Sequence, residues 1–494
     1  MPLASPPPRN PHCSRPDLVR ITFLASLLFL AGCVTSVVSP EQEIKAGSAM
    51  SQQVANQIGV YMDPELEQYL DAVGQRLVGA LGESPYAFQF VIVDQFEPNA
   101  FATPGGFIYV SRGLLAQMND EAELAGVLAH EISHVTQRHH VRQAGRSIGA
   151  SLFTLPGRAV GIVSKDLGDM INSPIEHAGQ VYLSSYSRGQ ESEADAYGMR
   201  LANAAGYDAL ALADALDSIE SSLYLLTGEH HEANYLDTHP TTPKRVADIN
   251  KLAGGLTLDP MPPLADRAQL YQKLNGLWWG PQNPQQGIFQ DNLFLSADLG
   301  LSVTFPKDWE KNNTPRVVAA MEPEGKAYLA LGSNTGEFSP EGYAAALITK
   351  MRDGTGLQPD VNRSFQIGNW PAHLVRYDDA SEAETVSLYY VFLNTGKNSF
   401  TFVAMGYEHL KEALRSSVMS IAKLTPSQEK SIRSLRLRIA DIAPGESLAD
   451  WAQRVNSDWS AEFIASMNGI DDTTVRGSNG ESLKYAREER YVAP

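Results

Sequence analysis

Apolar residues at three- and four-residue spacing open the patterned part of the chain. Between residues 41 and 80, Leu66, Tyr69, Leu70, Val73, Leu77 and Val78 recur on one helical face, which predicts two helices there. Phe88 to Val93 and Gly106 to Val110 are short β-branched and aromatic runs and predict strands. Helices are expected over 120–142, 188–204, 208–226 and 242–252. The first of these carries Ala122, Leu124, Ala125, Val127, Leu128 and Ala129, apolar on nearly every face, so it should be buried. Asp120 and Glu123 stand at capping-box spacing at its start. The apolar run Ile148 to Val163 is interrupted by Pro156 and Arg158. It reads, with the residues up to 186, as a loop or lid and not as a membrane span.

Residues 258–290, rich in Pro, Gly and Gln and holding Trp278-Trp279, read as a packed linker. From 291 the period shortens to two. Strands are expected at Leu301 to Phe305, Val317 to Met321, Ala327 to Leu331, His373 to Tyr377, Val386 to Phe392 and Phe400 to Met405, with helices near 340–352 and 408–422. The expected class is therefore α+β. A mainly helical first domain with a small sheet (33–257) is followed by a smaller α+β domain (291–425) and a strand-helix-helix-strand tail (436–494).

Composition narrows the possibilities. With 43% hydrophobic and 19% charged residues the chain is neither disordered nor a many-pass membrane protein. A net charge of -18 argues against a nucleic-acid partner, whose phosphates need a basic surface. Two cysteines, Cys13 and Cys33, are too few for a disulfide framework. Arg9, Arg15 and Arg20 precede the apolar run Ile21 to Leu30, about 15 Å as a helix and roughly half a bilayer core, so residues 1–32 read as a signal peptide. Leu30-Ala31-Gly32-Cys33 resembles the lipobox of bacterial lipoproteins. That resemblance implies cleavage before Cys33, lipidation of its thiol and, with Val34 next, the periplasmic face of the outer membrane. Multiple acyl chains would anchor the protein stably.

The chemistry is concentrated at His130-Glu131-Ile132-Ser133-His134. On a helix the two histidines share a face one turn apart and can bind one metal ion, while Glu131 can take a proton from metal-activated water. Unless they bind something, such groups inside an apolar helix would be left unsatisfied. A third ligand is offered by Glu191 or Asp195, which share a face at i, i+4. One can ligate while the other holds a ligand histidine by its far nitrogen, and spacing does not decide between them. Glu193 would point elsewhere. His139, His140, His230 and His231 read as surface or helix-terminal residues, and His177 falls in the lid.

The ordered set Asn99-Ala-Phe-Ala-Thr-Pro-Gly-Gly106, the His130–His134 motif, Glu191-Ser-Glu-Ala-Asp195 and Thr238-His239-Pro240 with Arg245 resembles one gluzincin family. That family contains the CAAX prenyl endopeptidases, the HtpX-type proteases and the soluble periplasmic BepA-type proteases, and the resemblance spans about 41–255. It implies that His130, His134 and Glu191 ligate one zinc ion per chain, that Glu131 is the general base and that Asp195 supports a ligand histidine. It also implies that His239 is a switchable fourth ligand or steadies the oxyanion, and that Arg245 contacts substrate or holds the site together. The Gly106 to Val110 strand resembles the edge strand that receives substrate. The membrane helices of the first two branches and the tetratricopeptide tail of the third are absent from the sequence pattern. Thr304 to Trp309 and the element order after 291 resemble PsbP/Mog1-like domains. Pro444-Gly-Glu-Ser-Leu448, Met467-Asn-Gly-Ile470 and Gly480 to Lys484 resemble a LysM module, which implies peptidoglycan as a partner besides protein or peptide substrates and the membrane. The reading is a zinc endopeptidase acting on misfolded or assembling envelope proteins. Its rivals are a latent lipid-anchored chaperone or peptidoglycan-tethered binding protein, and a peptidoglycan amidase.

Overall fold

The computed structural model describes residues 38–147, 186–227, 239, 243–334, 339–380, 384–470, 477 and 480–493. The expected signal peptide, Cys33 and the expected lid up to residue 185 lie outside the described residues. Helix α1 (Pro40–Gln57) begins at Ser39, which shares a reciprocal cap with Gln42. Helix α2 (Pro64–Leu81) is capped by Asp63 and buries Leu66, Tyr69, Leu70, Val73 and Leu77, the face its spacing predicts. Strands β1 (Gln89–Val93), β2 (Ala100–Thr103) and β3 (Phe107–Ser111) form a sheet in the order β1-β3-β2. The Gly106 to Val110 segment is thus the central strand and not the expected edge. The outer strands are β1 and β2, and the four residues of β2, Ala-Phe-Ala-Thr, carry too little periodicity to announce a strand.

After the short α3 (Arg112–Gln117) comes the motif helix α4 (Glu121–Thr136), buried along nearly its whole length. Its start is fixed by carboxylates, which suit a helix N-terminus. The Asp120 side chain accepts from Glu123 N at 2.9 Å, and Glu123 accepts from Asn119 N at 2.7 Å. Glu121 accepts from the Tyr69 and Tyr207 hydroxyls and from Leu264 and Ala265 N, at 2.7–3.1 Å. The helix expected over 120–142 breaks in two: Arg138 takes φ 54°, and α5 (His139–Ser147) leaves in a new direction. Helix α6 (Arg188–Ala204) crosses α4 closely because residue 198 is glycine. A Cβ there would sit 2.9 Å from His130 N. Helices α7 (Ala211–Thr227) and α8 (Pro243–Ala253) follow.

The region expected as a linker contains α9 (Arg267–Leu274) and β4 (Trp278–Trp279). Next come β5 (Ile288–Gln290), β6 (Leu293–Ser296), β7 (Leu301–Thr304), β8 (Glu310–Asn313), β9 (Val317–Met321) and β10 (Ala327–Asn334). Helix α10 (Pro340–Thr355) is followed by β11 (Val361–Ile367), β12 (Trp370–Asp379), β13 (Val386–Asn394), β14 (Ser399–Tyr407), α11 (Lys411–Met419), β15 (Ala422–Lys423) and α12 (Pro426–Ser431). These make a seven-stranded antiparallel sheet, β11-β12-β13-β14-β10-β9-β8, and a four-stranded one, β15-β7-β6-β5. The tail has β16 (Arg433–Asp441), α13 (Leu448–Arg454), α14 (Ala461–Met467) and β17 (Ser482–Arg490). The fold is α+β, as the pattern predicts. Among the described residues no helix is long and apolar enough to cross a membrane.

One apolar cluster runs from Leu66 and Leu128 through Trp278 and Trp279 to Trp451, Phe463 and Tyr485. Strand β4 pairs with β16, and the Trp279 ring meets Phe96 on one side and Trp459 on the other. The tail also sends Lys484, fully buried, into the turn before α4. Its ammonium donates to the carbonyls of Ala116, Gln117 and Met118 at 3.0, 3.1 and 2.8 Å.

Candidate metal centre

Helix α4 presents His130 and His134 on one face, their Nε2 atoms 2.9 Å apart. Where α6 crosses, Glu191 brings Oε2 to 3.5 Å from His130 Nε2 and Oε1 to 3.6 Å from His134 Nε2. His239 Nδ1 lies 2.9 Å from Glu191 Oε2 and 3.1 Å from His130 Nε2. One ligand atom from each of these four buried residues falls within 4.8 Å of every other. Glu131 is fully buried, with His239 Nε2 at 3.4 Å from its Oε1.

The second member of the i, i+4 pair acts behind the cluster. Asp195 Oδ1 lies 3.0 Å from His130 Nδ1, so it meets the face of the imidazole away from the centre. Arg245 donates to both Asp195 oxygens at 2.8 Å and to the His239 carbonyl at 2.7 Å. Of the two roles the resemblance offers Arg245, these contacts are those of holding the site together.

The residues suit a divalent ion. Glu131, Glu191 and Asp195 are buried against one buried guanidinium, Arg245. One dication makes up that deficit of two positive charges. Both Glu131 oxygens and Glu191 Oε1 are buried without a hydrogen-bond partner among the described residues, a cost that a bound ion and its water would remove. Burial disfavours the charged form of His130, but hydrogen bonds that its ring donates to Asp195 and Glu191 outweigh it and raise its pKa to about 9. The site draws in positive charge. Burial raises the Glu131 carboxyl above its ordinary range, which suits a proton acceptor working near neutral pH. A set of imidazole nitrogens with one carboxylate suits a transition-metal dication.

Two features have no signal in residue spacing. Tyr186 stacks on the His134 ring, centroids 3.9 Å apart, with its hydroxyl 2.9 Å from His140 Nδ1. His139, expected at the surface or a helix end, is the first residue of α5 and is buried, with its Nδ1 2.8 Å from His134 Nδ1 and Glu193 on the other side. Strand β2, an outer strand of this sheet, runs close to the site. Ser111 N donates to Asn99 O at 2.8 Å, so Asn99, Phe101 and Thr103 turn their backbone groups toward β3. Ala100 and Ala102 turn theirs outward, on a strand that packs beside α4.

Two helix-borne histidines one turn apart, a glutamate from a crossing helix and a buried carboxylate beside them form the constellation of zinc metallopeptidases. The model of Peptidase family M48 matches residues 64–253. The chain is 27% identical over 373 residues to the beta-barrel assembly-enhancing protease of Yersinia pestis, covering 70% of this chain and 74% of that protein. It is 33% identical over 228 residues to a putative beta-barrel assembly-enhancing protease of Vibrio cholerae, covering 44% of this chain and 45% of that protein. The mitochondrial metalloendopeptidase OMA1 of Schizosaccharomyces pombe is 28% identical over 186 residues, covering 37% of this chain and 52% of that protein. The chain thus spans about three-quarters of the first relative's length and about half of the other two. These findings support the M48 metallopeptidase family for the segment that carries the site.

Proposed function

We propose that this chain is a zinc-dependent endopeptidase of the bacterial envelope. It would be anchored by lipid at Cys33 to the periplasmic face of the outer membrane and cleave misfolded or assembling envelope proteins. The observation that carries the proposal is the buried cluster of His130, His134, Glu191 and His239 with the unpartnered Glu131 carboxylate beside it. The names of the Yersinia and Vibrio relatives support a substrate among proteins of β-barrel assembly.

A zinc ion held by His130, His134 and Glu191 would polarise the scissile carbonyl and bring the pKa of a coordinated water toward ~7. Glu131 takes the proton of the attacking water and returns it to the leaving amine. Asp195 fixes the ring of His130, and Arg245 holds Asp195 and the His239 backbone in place. An extended substrate would add to β2 through the outward backbone groups of Ala100 and Ala102. Zinc analysis of the wild type and Glu131→Gln, with an unfolded substrate such as casein and periplasmic proteomics, tests the proposal. The variant should keep about one zinc per chain and lose proteolysis, and undiminished cleavage would refute it.

His239 favours a second reading. Its Nδ1 lies 3.1 Å from His130 Nε2 and 2.9 Å from Glu191 Oε2, close enough to serve as a fourth ligand that would keep the site latent. A lipid-anchored chaperone or tethered binding protein would need no turnover. Complementation of a deletion strain by Glu131→Gln would select that reading.

A further inference from the structure

Each ligand imidazole must present one nitrogen to the metal and keep its proton on the other. For His130 the rear nitrogen meets Asp195 directly. For His134 no carboxylate among the described residues stands directly behind the ring. Its Nε2 faces the ligand cluster, so the proton resides on Nδ1, and that atom lies 2.8 Å from His139 Nδ1. The His134 N–H therefore donates to His139, which must accept at Nδ1 and carry its own proton on Nε2. There it reaches Glu193 Oε2 at 3.3 Å. Arg142 donates to the same oxygen at 2.7 Å, and Gln190 Nε2 donates to the His139 carbonyl at 3.1 Å. The two rings meet edge to face, centroids 4.8 Å apart and planes at 77°, and His139 is fully buried.

We infer that His139 is a positioning residue for the metal ligand His134, passing the orienting influence of Glu193 to it through two successive hydrogen bonds. The inference rests on the reading of His130, His134 and Glu191 as metal ligands and adds a residue to it. It also explains the break after α4. A continuous helix would carry residue 139 round to a different face from His134. The turn at Arg138, φ 54°, folds it back instead. That turn is itself held: Arg138 Nε donates to the buried Glu43 of α1 at 2.8 Å, and its guanidinium also reaches the Val38 carbonyl. Helix α6 thus supports both ligand histidines, His130 through Asp195 and His134 through Glu193 and His139.

The test compares His139→Phe, His139→Asn and Glu193→Ala with the wild type. Zinc affinity is read by chelator competition, and visible absorption is read after cobalt substitution. The Phe variant keeps the ring volume without an acceptor and should bind zinc 10–100-fold more weakly, with an altered cobalt spectrum. Asn places an acceptor where Nδ1 stood and should recover affinity to within a few-fold, with a spectrum close to wild type. Glu193→Ala, at a partly exposed position, should weaken binding several-fold without unfolding the chain. Wild-type affinity in the Phe variant, or an Asn variant no better than Phe, would overturn the inference. So would an unaffected Glu193→Ala variant. Failure of the wild type to bind zinc would instead overturn the ligand assignment itself.

Discussion

Replacing Lys484 by Met changes one atom cluster in the tail and should be felt in the metal centre. The ammonium makes three hydrogen bonds to the carbonyls that end α3, and it lies near Glu123 in the first turn of α4. Burial pulls Lys484 below the usual lysine range, and the Glu123 carboxylate pulls it back. Methionine fills much the same volume but leaves three buried carbonyls without this donor, at ~1 kcal/mol or more each. Glu123, whose carboxyl burial raises to about 7, also loses a nearby positive charge, a smaller further cost. Relief from desolvating an ammonium offsets part of this, so we expect a net loss of ~2–3 kcal/mol, a large share of the ~5–15 kcal/mol of a typical domain. Urea unfolding followed by tryptophan fluorescence measures it, with zinc affinity read on the same samples. The double variant Lys484→Met/Glu123→Gln should recover at least ~1 kcal/mol, because it removes the orphaned charge while keeping an acceptor for Asn119 N. A single variant within ~1 kcal/mol of wild type, with unchanged zinc affinity, would refute the idea that the tail seats the motif helix.

Two further outcomes are expected. Ala102→Pro removes an N–H on the side of β2 turned away from β3, so kcat/KM on a peptide substrate should fall about tenfold, measured at a temperature where circular dichroism shows this buried variant folded. Unchanged kcat/KM would show that substrate does not add to this edge. Glu489 accepts from Arg438 at 2.8 Å and Arg487 at 2.9 Å, and these bonds hold its carboxyl down to about 2. Its folded pKa lies below the unfolded value, so its stabilisation is complete above about pH 4.5 and is lost as pH falls toward 2. The melting-temperature gap between wild type and Glu489→Gln should therefore narrow from pH 7 to pH 3.5, and a constant gap would contradict the assignment.

Sequence spacing made the site legible where it obeys helical geometry. His130 and His134 share a face of α4, and Glu191 and Asp195 share a face of α6, so four of the central residues follow from the i, i+4 rule. Which carboxylate ligates is a matter of how α6 crosses α4, and spacing left it open until the resemblance supplied an answer. His139 stands at a helix end, one of the two places its sequence position suggests, but its contact with His134 runs across a left-handed turn, outside any helical period. Glu193 was set aside because it points away from Glu191, yet that direction is where His139 stands. Strand β2 was passed over because Ala-Phe-Ala-Thr alternates weakly. Trp278-Trp279 looked like linker because its strand partner, Leu435-Arg436, lies far along the chain. Non-local pairing leaves little trace in a local window.

That same pairing alters how the chain is to be divided. Strands β4 and β16 are antiparallel neighbours, so in topology they form a hairpin whose connecting loop is the whole seven-stranded body and its companion sheet. The body is an insertion: both its ends emerge from one place, where Gln290 Nε2 donates to the Ser431 carbonyl at 3.0 Å. An insertion leaves the strands on either side of it paired with each other, whereas cutting off the tail would take two of the three strands from the sheet that Trp278 and Trp279 complete.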